Sequence, residues 1–184
     1  VYRQEYKAGK IQGDVEMVGK SDKRGTVITF MPDTTIFDTS TFNLKTIHTR
    51  FRRQTYLTGK VTISVDDQRP EDVKHDGDSK LPKSYSFYFE NGVKAYIRQL
   101  NKNHKTVHPN IFYVKDMIHD DTTDTDIDVE VALQYTDDLQ EKVLTFANNV
   151  HNPEGGTHLS GFRTALTKTL NEYVSKTSGD GKGV

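Results

Sequence analysis

NPEGGTHLSGFRTALTKTLNEY, the stretch from Asn152 to Tyr173, decides how this chain is read. Gly155-Gly156 supplies a tight turn and Thr157 can cap a helix behind it. Leu159, Phe162, Leu166, Leu170 and Tyr173 recur at steps of three or four, the spacing of one helix face. The pattern predicts an amphipathic helix entered through glycine. Arg163 lies one step past Phe162, off the apolar stripe and near the helix start, where the helix dipole disfavours a cation. That placement makes Arg163 a candidate contact for an anionic partner, with an ordinary solvated arginine as the competing reading. Glycine amides at a helix N-terminus can also hold phosphate. Here no lysine follows in the P-loop position and no suitable strand precedes, which argues against a Walker-type site.

Upstream of that helix, Val129, Val131, Leu133 and Tyr135 alternate, Thr136-Asp137-Asp138 offers a turn, and Val143 to Ala147 returns, which predicts a β-hairpin. Ile111 to Val114 reads as a strand after Pro109, and the acidic, threonine-rich stretch His119 to Asp126 as an exposed connection. Tyr85 to Phe89 is a further strand, and Asn91-Gly92 leads into a helix with Val93, Tyr96, Ile97 and Leu100 on one face. Strand, helix, three strands and helix in that order predict an α+β fold, with helices covering one face of a small, largely antiparallel sheet.

The first third carries strand patterns at Val15 to Val18, at Gly25 to Phe30 (GTVITF, closed by Met31-Pro32-Asp33) and at Lys60 to Val65. Between them Leu44, Ile47, Phe51 and Thr55 fall at helical spacing, so a helix capped by Thr41 should run to about Tyr56, stop at Thr58-Gly59, and turn its basic residues the other way. Asp66 to Lys83 is charged, carries Pro70, Gly77 and Pro82, and reads as a linker or long loop. The expected division is therefore residues 1–66, a connection at 67–83, and a second domain from 84 to 184.

Composition bounds the function. The chain has 184 residues, 33% hydrophobic and 28% charged, with no cysteine, so disulfides, zinc-thiolate sites and thiol nucleophiles are excluded. No apolar run approaches the ~20 residues that span a bilayer, and the expectation is a soluble, cytoplasmic protein with no membrane partner. A net charge of -1 argues against a uniformly basic nucleic-acid binder. The charge is patchy, however. Lys45, Arg50, Arg52 and Arg53 cluster without an acid, whereas Asp116 to Glu141 is dominated by carboxylates, so any contact with DNA must be local. His104 and His108 lack the rigid helix that would aim both at a metal. Asp124, Asp126 and Asp128 imitate half a calcium loop, but Val129 replaces its glycine and Tyr135 its bidentate acid.

Five segments in order, GTVITFMPDTTIF (25–37), YFENGVKAYIRQLNKN (88–103), HPNIF (108–112), VEVALQYTD (129–137) and FANNVHNPEGGTHLSGFRTALTKTLNEY (146–173), give the chain a resemblance to the gyrase B family, the ATPase subunits of bacterial type II topoisomerases. The connection at about 67–83 and the acidic loop at 119–126 diverge. The resemblance implies the C-terminal part of a GHKL-type ATP-binding domain over residues 1–66. It implies a transducer domain, of the ribosomal protein S5 domain 2-like fold, from 84 onward and incomplete at its C-terminus. It puts Gly25 and Thr26 in the adenine pocket, with Thr26 hydrogen-bonding there and Ile28 lining it, and assigns Arg163 to DNA-backbone contact in the cavity through which DNA passes.

The implied cofactors are ATP and Mg2+, and the implied partners are DNA, gyrase A and a second copy of the ATPase subunit. The family's catalytic glutamate, magnesium-binding asparagine, adenine-binding aspartate and glycine-rich lid precede the segment matched here, and its transducer glutamine and lysine follow it; Lys182 lacks their flanking pattern. The expectation is a parent enzyme that couples ATP hydrolysis to DNA strand passage and supercoiling, and a fragment without catalytic residues, inactive alone, that relays nucleotide state. The alternatives are the ATPase subunit of topoisomerase IV or a noncatalytic S5-like nucleic-acid-binding module, which would need a basic face with aromatic stacking residues.

Overall fold

A computed structural model describes residues 1–70 and 81–179 of the chain, which divides into two compact units, Val1–Asn43 and Leu44–Val184. In the first, β1 (Tyr2–Arg3) pairs antiparallel with β4 (Glu16–Met17), and β2 (Tyr6–Lys7) with β3 (Lys10–Ile11). Ala8 and Gly9 both take positive φ, 48° and 76°, the conformation of a two-residue hairpin turn. The Gln4 side-chain amide donates to the Gly13 carbonyl at 2.6 Å and ties the two ladders together.

The strand expected at Gly25 to Phe30 does not form. A strand is defined by its neighbour, and no described strand lies beside this segment, so Val27 is 94% exposed, Ile28 81% and Phe30 70%. Beyond it, Asp33 accepts from the Thr35 amide at 2.9 Å and hydroxyl at 2.7 Å, an Asx turn that also lowers the Asp33 pKa. Phe30 meets Phe42 edge-on at 5.9 Å.

The second unit opens with α1 (Leu44–Leu57), which begins three residues past the expected cap at Thr41 and stops at Thr58-Gly59 as its sequence requires. Leu44 joins Val65 and Phe87 in the core, with Ile47, Phe51, Leu81 and Phe89 packed around them. The three core residues come from α1, from β5 (Ile63–Asp66) and from β6 (Ser84–Phe87), and the two strands pair antiparallel from Ile63 with Phe87 to Asp66 with Ser84. Arg52, though exposed, lies over the Phe87 ring at 5.6 Å, so the basic face of α1 also touches the edge of the core.

The 67–83 connection therefore closes a strand pair inside one compact unit: the Asp67 amide donates to the Lys83 carbonyl at 2.7 Å. By compactness alone the chain divides after residue 43. Residues 71–80 of that connection lie outside the described residues.

Behind this core, α2 (Gly92–Leu100) crosses α1. Gly92 has φ +48°, and a Cβ there would sit 3.3 Å from the Tyr56 carbonyl oxygen and 3.6 Å from Gly59 Cα, so the two chains approach backbone to backbone. Tyr56 is stacked between Phe89, at 3.7 Å between ring centroids, and Tyr96 of α2, at 4.8 Å.

A long ribbon follows, β7 (Phe112–Asp120) paired with β8 (Thr125–Leu133) over nine residues each. Its register corrects the hairpin expected from sequence, because Val129 to Leu133 pairs backwards with Phe112 to Asp116 and not forwards with Val143 to Ala147. The acidic stretch at 119–126 becomes the tip of this ribbon. Phe146–Ala147 (β9) turns instead onto Val150–His151 (β10). All sheets among the described residues are two-stranded, so antiparallel pairing is as expected while the single small sheet is not. No described helix is long and apolar enough to cross a membrane.

Candidate nucleic-acid interface

Between β9 and β10, Asn148 and Asn149 carry the turn with φ of 48° and 64°, a conformation asparagine tolerates better than most residues. The ladder is extended by Asn152, whose amide donates to the Thr145 carbonyl at 2.9 Å while its own carbonyl accepts from the Thr145 hydroxyl at 2.6 Å. The chain then bends through Gly155, at φ +76°, where a Cβ would lie 2.7 Å from the Leu159 side chain. From this turn springs α3 (Thr157–Gly179). The Gly156 carbonyl accepts from the Leu159 and Ser160 amides at 3.1 Å, so Gly156, not Thr157, holds the cap position.

The expected stripe is buried only along its first half. Leu159, Phe162 and Leu166 are half-buried, whereas Leu170 is 47% and Tyr173 67% exposed. On the other side α3 presents a shallow surface depression whose lining includes three cations, Arg163, Lys168 and Lys176, and one acid, Glu172, among Thr164, Thr167, Asn171 and Ser175. Cations and hydroxyls on one helix flank are the donors that phosphate oxygens accept from. At its N-terminal end one nitrogen of the Arg163 guanidinium, Nη2, donates to both carboxylate oxygens of Glu141, at 3.2 and 3.1 Å, with both side chains more than half exposed. Sequence reasoning missed Glu141. It stands 22 residues before Arg163 at the end of an acidic stretch, and no local periodicity links the two.

A series of rings runs through the unit toward this helix. From the Phe89, Tyr56 and Tyr96 stack, Tyr96 lies 6.5 Å from Phe146, and Phe146 lies 5.4 Å from His151 in the hairpin that launches α3. Burial between these rings raises the Tyr56 hydroxyl pKa.

The other sequence candidates lie apart. Gly25, Thr26 and Ile28 fall in the first compact unit and Arg163 in the second. All three are exposed, and a Cβ added at Gly25 would meet nothing within 4 Å, so they offer one open wall. That wall does not by itself fit a purine, which needs a second face to stack against.

His104 and His108 are engaged elsewhere: His104 faces Asp138 at 3.5 Å. His108 accepts from the Tyr135 amide at Nε2 and hence donates from Nδ1 to the Asn110 carbonyl. No group of three or more metal-binding side chains occurs among the described residues.

Comparison with known proteins adds the family context. Residues 92–182 match the family model described as DNA gyrase B. The chain is 38% identical over 176 residues to the DNA gyrase B protein of Clostridium acetobutylicum, covering 96% of this chain and 25% of that protein. It is 38% identical over 174 residues to the DNA gyrase B protein of Staphylococcus epidermidis, covering 94% of this chain and again 25% of the relative.

The chain thus spans about a quarter of the length of these relatives. Among solved structures, the 43K ATPase domain of Thermus thermophilus gyrase B, crystallised with an aminocoumarin, superposes with a TM-score of 0.73 at 24% identity, over 100% of this chain and 46% of that one. The gyrase B protein of Myxococcus xanthus gives 0.67 at 22% identity, over 97% of this chain and 47% of that one. At these identities the superpositions speak for the fold alone.

Proposed function

Since the chain belongs to the DNA gyrase B family, we propose that it is the part of a gyrase ATPase subunit that relays nucleotide state to DNA, within an enzyme that couples ATP hydrolysis to strand passage and supercoiling. The observation that carries this reading is one flank of α3, where Arg163 stands exposed at the head of a line that holds Lys168 and Lys176 against a single acid, Glu172. Such a flank meets the phosphate backbone electrostatically and without regard to sequence, which suits a protein that must handle any DNA segment.

On this reading residues 1–66 complete an ATP-binding domain of GHKL type, and the chain from 84 onward is the transducer of S5 domain 2-like fold. Thr26 offers a hydroxyl and Ile28 an apolar contact to adenine, with Gly25 leaving the backbone open to it, once the rest of the ATP-binding domain supplies the facing wall. When bound, ATP with Mg2+ supplies the phosphoryl transfer. The residues of this chain bind and position. The rings from Tyr56 through Tyr96 to Phe146 support the relay, because close-packed side chains transmit a displacement that a liquid-like core would absorb.

In the cell the protein would work in the cytoplasm with DNA, gyrase A and a second copy of itself. Gyrase is favoured over topoisomerase IV because the matched family model and the relatives above are gyrase B.

The test is Arg163→Gln in the complete enzyme. It should leave nucleotide binding unchanged and reduce DNA-stimulated ATP hydrolysis and strand passage; full DNA stimulation in the variant would refute the assignment. The chain alone should show no tight ATP binding by calorimetry.

A further inference from the structure

Resting on the reading that Arg163 contacts DNA, we infer that Glu141 is the internal competitor for that contact: it holds the Arg163 guanidinium in the free protein and gives it up to a backbone phosphate. Arg163 stands on the second turn of α3, and the anion it meets is the Glu141 carboxylate, both of whose oxygens lie within 3.2 Å of Nη2. Only Nη2 is engaged, shared by the two carboxylate oxygens, so the contact is end-on and leaves the rest of the guanidinium fork open to a phosphate.

The pair is strong enough to orient the arginine and weak enough to be exchanged. At 54% and 67% exposure, water and salt screen it, and a pair of this kind contributes about a two- to fivefold bias in favour of the held state. Charge balance supports exchange rather than a permanent link. The same depression holds Lys168 and Lys176 against one acid, Glu172, so with Arg163 a phosphate arriving on this flank meets a net positive field once Glu141 swings away. Its cost is a weaker resting affinity for DNA. Its gain is an arginine kept off other anions until DNA arrives.

The experiment is a double-mutant cycle on the chain, with binding to a mixed-sequence DNA duplex followed by fluorescence anisotropy from 50 to 200 mM salt. Arg163→Gln should weaken binding and reduce the slope of log affinity against log salt by about one. Glu141→Gln should tighten binding about two- to fivefold when Arg163 is present, and much less when it is Gln. Glu141→Asp, which keeps the charge on an arm one methylene shorter, should also tighten binding.

Equal effects of Glu141→Gln in both backgrounds would make Glu141 a general repulsive charge and overturn the proposal while leaving the DNA reading intact. Weaker binding by Glu141→Gln would overturn it too. No effect of Arg163→Gln would instead remove the DNA reading on which the proposal rests.

Discussion

Replacing Gly92 with alanine tests the crossing of α1 and α2, on which the arrangement of the second unit depends. Two costs add. An alanine at φ +48° sits in the left-handed region, which costs about 1–2 kcal/mol. Its Cβ would then lie 3.3 Å from the Tyr56 carbonyl oxygen, close enough that one backbone must yield by a few tenths of an ångström, an overpacking cost of about 1 kcal/mol.

Against these stands a gain of about 0.4–1 kcal/mol, because alanine has fewer unfolded conformations to lose. The balance is a destabilisation of about 2 kcal/mol, which for a urea m-value of about 2 kcal/mol/M lowers the midpoint by about 1 M. Gly59→Ala is the control: its φ lies outside the left-handed region and its Cβ would meet Gly92 Cα at 3.4 Å, an ordinary contact, so its effect should stay within about 0.5 kcal/mol.

Urea unfolding followed by far-ultraviolet circular dichroism measures both, and the double variant should be worse than the sum because both added methyl groups enter the same gap. An unchanged midpoint for Gly92→Ala would refute the close approach.

His48 is 5% exposed, packed edge-on against Phe87 at 5.5 Å, and its Nε2 finds no hydrogen-bond partner among the described residues; His48→Phe should therefore stabilise the chain by about 1 kcal/mol, read as a higher thermal midpoint. The Arg69 guanidinium beside Asp67 holds its carboxyl at about 2, below the ordinary value. A depressed carboxylate contributes stability above its unfolded pKa and loses it as pH falls through the folded one. Asp67→Asn should accordingly cost about 1 kcal/mol at pH 6 and converge with the parent chain as pH approaches 2, in urea titrations at each pH. Ile118 and Ile127 face each other on the ribbon and are 53% and 46% exposed, so replacing both with threonine should cost less than about 1 kcal/mol and reduce light scattering at high concentration.

What the sequence disclosed follows the range of the interactions involved. The three helices were legible because Leu44, Ile47 and Phe51, or Leu159, Phe162 and Leu166, repeat at a spacing that one turn of chain determines by itself. Strand character was legible too; strand partnership was not. The alternation from Val129 to Leu133 is the same whether the strand pairs with the residues before it or with those after it, and nine matched residues in β7 decided it. GTVITF has the residues of a strand and no described neighbour to make it one. At the candidate interface, Arg163 stood out because it lies off a local stripe. Its carboxylate partner could be found only in three dimensions.

The pairing of β5 with β6 makes covalent continuity through the 67–83 connection dispensable. Ladder hydrogen bonds, the Leu44, Val65 and Phe87 cluster and the Tyr56 stack all join residues before the connection to residues after it, or gather on both sides of it. A chain severed between Pro70 and Leu81 should thus reassemble from its two pieces, and the same position would accept an inserted domain or reporter without unfastening what it interrupts.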